Sequence, residues 1–150
     1  PPAARLASLA RGMREWAVAH PSRWALAYGS PVPGYAAPAE QTTTPGTRVM
    51  AAFLALLAEG DAAGAPGGFE NAGSRTVVSE GLAAELEAGA AEMGLAVDPA
   101  LAAAAVEAWT GLVGLISAEV FGQLGPDLAR YGAELLDRWS ATTASRFGLS

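Results

Sequence analysis

The 150 residues contain no cysteine and no lysine, and only one histidine. Without cysteine there is no disulfide framework, no thiolate metal site and no cysteine nucleophile. One histidine without cysteine also makes a poor metal site. Basic charge is scarce: nine arginines stand against fifteen acids, for a net charge of −6. Such a surface repels the phosphate backbone of nucleic acid rather than binding it. Long apolar runs are missing too. The stretch from Ala108 to Ala118 is bracketed by Glu107 and Glu119, short of the roughly 20 residues that span a bilayer. The chain therefore reads as soluble, cytoplasmic and free of membrane contact. β-branched alternation is confined to Thr76-Val77-Val78, so no sheet is expected. The opening Pro-Pro-Ala-Ala-Arg-Leu carries neither an initiator methionine nor a signal-peptide pattern. Either the chain is processed or it is the C-terminal part of something larger.

What is present is apolar and helix-forming. Hydrophobic residues make up 51% of the chain, enough for one domain with a sizeable core. Leu6, Leu9, Met13 and Trp16 make a helical stripe, with Arg11 and Glu15 as an i, i+4 pair. Pro21 ends this helix and opens a short one to about Tyr28. A loop follows from Gly29 to Gln41. Thr44-Pro45 reads as a cap and first-turn proline for a helix to about Leu57. The stretch from Gly60 to Arg75 is glycine-rich and polar and reads as a mobile loop. Ser79 caps a helix with Leu82, Leu86 and Met93 near one face, closed by Gly94. Asp98-Pro99 opens the longest helix, to about Leu124. Gly125-Pro126 breaks it before a last helix from about Asp127 to Phe147. The fold class is all-α: a bundle of about six helices, the last two long and antiparallel.

Wound as a helix, the long segment has two faces. Trp109, Val113, Ile116 and Val120 share one, flanked by Val106 and Leu124. Gly111, Ala118 and Gly122 share the other, beside Ala104 and Gly114. Glycine in a helix interior costs about 1 kcal/mol against alanine, and close helix packing is the expected compensation. In the last helix Leu128, Tyr131, Leu135 and Trp139 form an apolar stripe, with Arg130, Glu134 and Arg138 along another side. Such a hairpin can dock on its own copy as a dimeric four-helix interface. Alternatively, both faces are buried within one subunit.

Two stretches resemble a known family. HPSRWALAYGSPVPGYAAP, from His20 to Pro38, and WTGLVGLISAEVFGQLG, from Trp109 to Gly125, are similar to the C-terminal ligand-binding and dimerisation domain of tetracycline-repressor (TetR) transcription regulators. The likeness is to the branch named for a Trp-His-Gly motif. Trp109 and Gly114 match it, while Val113 stands where that branch usually has histidine, which leaves this part of the pocket more apolar. The resemblance covers essentially the whole chain. It implies an effector-binding and dimerisation domain over residues 1–150, with a helix-turn-helix DNA-binding domain upstream of Pro1. The partners it implies are a second copy, a small hydrophobic effector, and operator DNA only through that upstream domain. It also implies an apolar pocket among the middle helices and beside the long one. Trp24, Tyr28, Phe53, Trp109, Val113 and Ile116 are the expected ligand-binding residues. Gly111, Ala118, Gly122, Leu128, Tyr131 and Leu135 are the expected dimer interface. Arginine in place of lysine, with so much alanine and glycine, fits a GC-rich genome such as those of actinobacteria.

The remaining candidates carry little chemistry. His20 sits at a helix end, where imidazole interacts favourably with the dipole, and no serine or acid lies at a telling spacing. Pro31, Pro33 and Pro38 stiffen the following loop. Glu85, Glu87 and Glu92 read as solvated charges. GDAAGAPGG lacks the Lys-Ser/Thr of a phosphate loop. Arg5, Arg11 and Arg14 are too few for a nucleic-acid patch. No catalytic residue, metal site or cofactor is expected, and the chain reads as a regulator rather than an enzyme. The alternatives are a small helical enzyme using His20 with Glu15 or Tyr28, and a purely structural dimerisation module with a filled core.

Overall fold

The computed structural model describes residues 1–29, 33, 39–62, 69 and 77–149. Of positions 39–46 and 62 it describes the backbone alone. Among the described residues there are seven helices and no strand: α1 (Pro2–Ala19), α2 (Pro21–Tyr28), α3 (Ala39–Ala62), α4 (Glu80–Glu92), α5 (Pro99–Val120), α6 (Gly125–Ala129) and α7 (Gly132–Arg146).

The helix ends follow the local chemistry. Ser79 accepts a hydrogen bond from the Leu82 N–H and starts α4, and Asp98 accepts from Ala100 and Leu101 and starts α5. Pro21 occupies the first turn of α2. Gly94, Gly122 and Gly148 close α4, α5 and α7 in the left-handed conformation, with φ of 75°, 75° and 65°. Each makes the paired end bonds that satisfy the last carbonyls, as in Gln123 N–H to Ala118 O (2.8 Å) and Gly122 N–H to Glu119 O (3.2 Å).

Several boundaries differ from the sequence expectation. α3 begins at Ala39 and is longer than α5, so Thr44-Pro45 lies inside it rather than at its cap. The Thr44 side chain lies outside the described residues, as do Pro31 and Pro38; Pro33 is an exposed turn. α5 stops at Val120, and Gly122 is the glycine that ends it rather than an interior small residue. The last segment is two helices, because a turn at Arg130-Tyr131 separates α6 from α7. Phe69 lies in the stretch expected to be a mobile loop, yet it is fully buried and stacks on Phe147 at 5.4 Å.

α5 runs through the centre of the bundle. α7 lies antiparallel to it, since Arg146 reaches Glu107 (2.7 Å) while Gly132 sits against Glu119. α1 is antiparallel to α7, with Arg11 on Asp137, and antiparallel to α3, with Arg5 on Glu59. One core cluster joins Leu6, Phe53, Leu57, Phe69, Leu101, Ala104 and Phe147. The second joins Ala10, Ala17, Trp24, Leu112, Ile116 and Leu136. The buried positions of α5 are Leu101, Ala102, Ala104, Ala105, Ala108, Leu112 and Ile116. Ala104 therefore belongs to the core rather than to an outer small-residue face. Trp109, Val113 and Val120 are half-buried and Val106 is exposed. By length and composition α5 is apolar enough to cross a membrane, which corrects the shorter run read between its two glutamates. α5 contacts α1, α2, α3, α4 and α7, and 39% of its apolar window is buried within the subunit.

Candidate functional site

Six aromatic rings from five helices form one continuous chain. Trp16 (α1) meets Trp24 (α2) edge to face at 6.4 Å, and Trp24 meets Tyr28 at 4.4 Å. Tyr28 meets Trp109 (α5) at 6.4 Å, Trp109 meets Phe53 (α3) at 5.5 Å, and Phe53 stacks on Trp139 (α7) at 6.2 Å. Such pairs are worth about 0.5–1.5 kcal/mol each beyond their buried area. Four of the six residues expected to bind ligand, Trp24, Tyr28, Phe53 and Trp109, are links of this chain. The other two, Val113 and Ile116, pack with Trp24 in the second core cluster. The structure thus brings all six together. The burial of Trp24, its indole N–H included, is completed by an acceptor the sequence did not signal, Ser117 Oγ at 3.0 Å.

Two hollows flank the ring chain. The first is a cleft of about 450 Å³ walled by Gly12, Met13 and Trp16 of α1, Trp24, Ala27 and Tyr28 of α2, and Val49 of α3. Among the described residues no charged side chain lines it. Burial pushes the Tyr28 phenol above its ordinary pKa, so it stays a neutral donor. The second is a chamber of about 130 Å³ between α3, α4 and α5, lined mainly by Met50, Phe53, Leu54, Leu86, Met93 and Ala105. Trp109 stands between the two, touching Tyr28 of the cleft and Phe53 of the chamber. Of the expected residues, Trp24 and Tyr28 line the cleft and Phe53 the chamber. Trp109, Val113 and Ile116 buttress them without lining either. Met13, Trp16, Val49, Met50 and Met93 were missed. Only a three-dimensional reading separates such positions from ordinary core stripes. Leu82, grouped with Leu86 and Met93 near one face of α4, is exposed, whereas those two line the chamber.

The cleft's outer wall is α1, and one shielded ion pair holds it. Arg14 donates to both oxygens of Glu119 at 2.8 and 2.6 Å, with side chains only 23% and 12% exposed. Bidentate pairing of this kind is the strong, directional form of the interaction. Gly132 at the start of α7 makes room for it, because a Cβ there would run into the Glu119 carboxylate. The expected Arg11–Glu15 pair gives way to Arg11–Asp137 (2.9 Å), since α7 passes within reach of Arg11.

His20 links α1 to α2. Its Nδ1 lies 3.0 Å from the Trp16 carbonyl and its ring 5.7 Å from the Trp16 ring. A carbonyl only accepts, so Nδ1 carries the proton. This is a helix-end role, in an exposed position, rather than a poised base. Among the described residues no group of three acidic, histidine or cysteine side chains is placed to hold a metal.

The residues expected at a dimer interface lie outside the core of the chain. Gly111, Gly122, Leu128 and Tyr131 are exposed, and Ala118 and Leu135 half-buried. α7 buries instead Gly132, Leu136, Ser140, Thr143 and Ala144, so the stripe of Leu128, Tyr131 and Leu135 is surplus to the subunit. Gly111 also has a use within the chain: a Cβ there would lie 3.3 Å from Trp139 Nε1.

Comparison with known proteins agrees with this architecture. The family model described as "Tetracyclin repressor-like, C-terminal domain" matches residues 6–141. An HTH-type transcriptional regulator of Mycobacterium tuberculosis is 40% identical over 121 residues, covering 81% of this chain and 50% of the relative. A regulator of the same description from Mycobacterium bovis gives the same figures. The chain thus spans about half the length of these relatives, and their actinobacterial source fits the arginine-rich, lysine-free composition. These likenesses are to transcription regulators rather than enzymes. The chain belongs to the tetracycline repressor-like C-terminal domain family, the ligand-binding and dimerisation part of transcriptional regulators.

Proposed function

We propose that this domain senses a small, largely apolar effector in the cleft beneath α1 and passes the event to a helix-turn-helix domain upstream of Pro1. The observation that carries the reading is the apolar cleft walled by Gly12, Met13 and Trp16 of α1, in a chain that spans about half the length of relatives described as HTH-type regulators. An effector that fits the cleft better in one position of α1 than in another shifts the population of the two. It can shift it only by its differential affinity, typically about 1–3 kcal/mol. Trp24, Tyr28, Trp109, Val113 and Ile116 then form the aromatic and aliphatic backing against which α1 moves.

The subunit acts as a homodimer through the outer faces of α5 and α7, with Gly111, Ala118, Gly122, Leu128, Tyr131 and Leu135 at the contact. A dimer holds two DNA-reading units at half-sites about 34 Å apart. The site of action is the cytoplasm, and no cofactor takes part.

A second reading, a purely structural dimerisation module, is favoured by the near-complete burial of Trp24, Phe53 and Ile116, each 1% exposed. Gly12→Leu separates the two. A Cβ at Gly12 meets nothing within 4 Å, so leucine enters the cleft without disturbing the core. A panel of uncharged aromatic and aliphatic compounds is titrated against tryptophan fluorescence. Saturable quenching in the wild type that is lost in Gly12→Leu supports the sensor. An unresponsive wild type supports the structural module.

A further inference from the structure

Sulfur is scarce in this chain, and all of it borders hollows. With no cysteine present, the three methionines carry the only sulfur atoms. Met13 lines the cleft beneath α1. Met50 of α3 and Met93 at the end of α4 line both the chamber between α3, α4 and α5 and a hollow of about 450 Å³ outside it. They therefore stand where the two meet, each half-buried. Arg48 and Glu92, both exposed, border the outer hollow, so a small neutral oxidant reaches the two thioethers from the water side. The chamber behind them has an almost wholly apolar wall.

The helix these two side chains help to hold is thinly attached. α4 packs on α5, and Ala90 is its one buried residue among those described. Met93 ties the end of α4 to the first core cluster. A thioether suits that place, being apolar and adaptable. A sulfoxide does not, because it is polar and chiral, and a polar oxygen facing an apolar wall without a donor is costly. The oxidised side chain must turn towards water, and its packing contacts are lost with the turn.

We propose that Met50 and Met93 form a reversible oxidation site, at which a hydroperoxide converts thioether to sulfoxide and thereby loosens α4 from α3 and α5. A sulfur lone pair attacks one peroxide oxygen; the S–O bond forms as the O–O bond breaks. Sulfur is oxidised by two electrons and the peroxide is reduced. With hydrogen peroxide, the proton on the transferred oxygen passes to the departing hydroxide, which leaves as water. Each event consumes one peroxide and yields one sulfoxide and one water. Methionine sulfoxide reductases reverse it, one enzyme for each epimer. The proposal does not rest on the sensor reading, since neither an effector nor any residue of α1 enters it.

Hydrogen peroxide at neutral pH is the probe. Peptide mass spectrometry reads which methionines gain an oxygen, and hydrogen exchange reads protection helix by helix. Met50 and Met93 are expected to be oxidised in the folded protein. The amides of α4 should then exchange at least about tenfold faster, while those of α7 change by less than about twofold. Met50→Leu combined with Met93→Leu, swaps that nearly conserve volume, should abolish the response of α4 to peroxide, and Met13→Leu should keep it. Should the double variant fail to fold, each single leucine variant is expected to show a smaller response than the wild type. Met50 and Met93 left unmodified by a peroxide dose that oxidises half of a sample of N-acetylmethionine amide overturn the proposal. So does sulfoxide at both positions with unchanged protection of α4, and so does a response that persists undiminished in the leucine variants.

Discussion

Replacing Gly132 by alanine should destabilise the protein, yet stabilise it once Glu119 is gone. Gly132 opens α7 with a negative φ, since among the described residues the left-handed glycines are Gly94, Gly122, Gly125 and Gly148. Alanine can therefore take its backbone, and helix propensity alone would favour the change by up to about 1 kcal/mol. The obstacle is the Glu119 carboxylate, which occupies the space a Cβ would need. Moving it breaks two charge-assisted bonds to Arg14 in a shielded setting, with both side chains less than a quarter exposed. Hydrogen bonds to charged groups are worth about 1.5–3 kcal/mol. Gly132→Ala should thus cost about 2–5 kcal/mol net in the wild type if both bonds are lost, and gain up to about 1 kcal/mol in a Glu119→Ala background. Urea unfolding followed by tryptophan fluorescence, at one fixed protein concentration, measures both legs of the cycle. Equal effects in the two backgrounds, within about 0.5 kcal/mol, would refute the clasp as the reason for the glycine.

Tyr28 provides a test in pH. Burial raises its folded pKa, so the folded state holds the proton more firmly than the unfolded chain, whose tyrosines titrate near 10. The stabilisation is complete below that value and lost as pH rises through the folded pKa; Tyr28→Phe should flatten the alkaline limb of a urea-midpoint profile, and an unchanged limb refutes the assignment. Tyr131→Glu together with Leu135→Glu should convert the proposed homodimer to a 15.1 kDa monomer in sedimentation equilibrium without loss of helix content. A wild type that is already monomeric at high concentration removes the dimer.

Features written in short stretches of sequence were legible. Ser79, Gly94 and Asp98-Pro99 each act within a turn of themselves, so local rules located the ends of α4 and the start of α5. The six residues expected to bind ligand lie near one another, because bulky side chains on adjacent helices of a small bundle have few places to go, but of them only Trp24, Tyr28 and Phe53 line a hollow. Long-range events left no local trace. Nothing in the sequence ties Arg14 to Glu119, 105 positions away, or explains why Gly132 is small. Phe69 looked like one aromatic in a glycine-rich loop, and only the stack on Phe147 reveals its anchoring role. Gly122 was misread for a different reason. A glycine near a helix end serves close packing or left-handed termination equally well, and periodicity does not separate the two. The stripe Leu128, Tyr131, Leu135 is the face expected at a dimer contact, and the subunit's own core uses the adjacent face, built from Leu136, Ser140 and Ala144.

The attachments of α1 are graded, and the grading matters for the proposed signal. Arg5–Glu59 and Arg11–Asp137 are exposed pairs, with side chains about half in solvent, and pairs of that kind contribute about 0–1 kcal/mol. Arg14–Glu119 is the shielded one. It sits within the stretch from Gly12 to Trp16 that faces the cleft, so an effector pressing on this stretch acts close to the firmest point of the helix. From Arg14 back to Pro2 the helix runs roughly 18 Å at 1.5 Å per residue. A small rotation about the clasp therefore displaces the start of α1 several times further than it displaces the cleft wall. The weak outer pairs can yield to that motion at little cost, while Leu6, fully buried in the first cluster, resists it. The balance between the clasp as fulcrum and Leu6 as restraint sets how far a filled cleft can move the beginning of the chain.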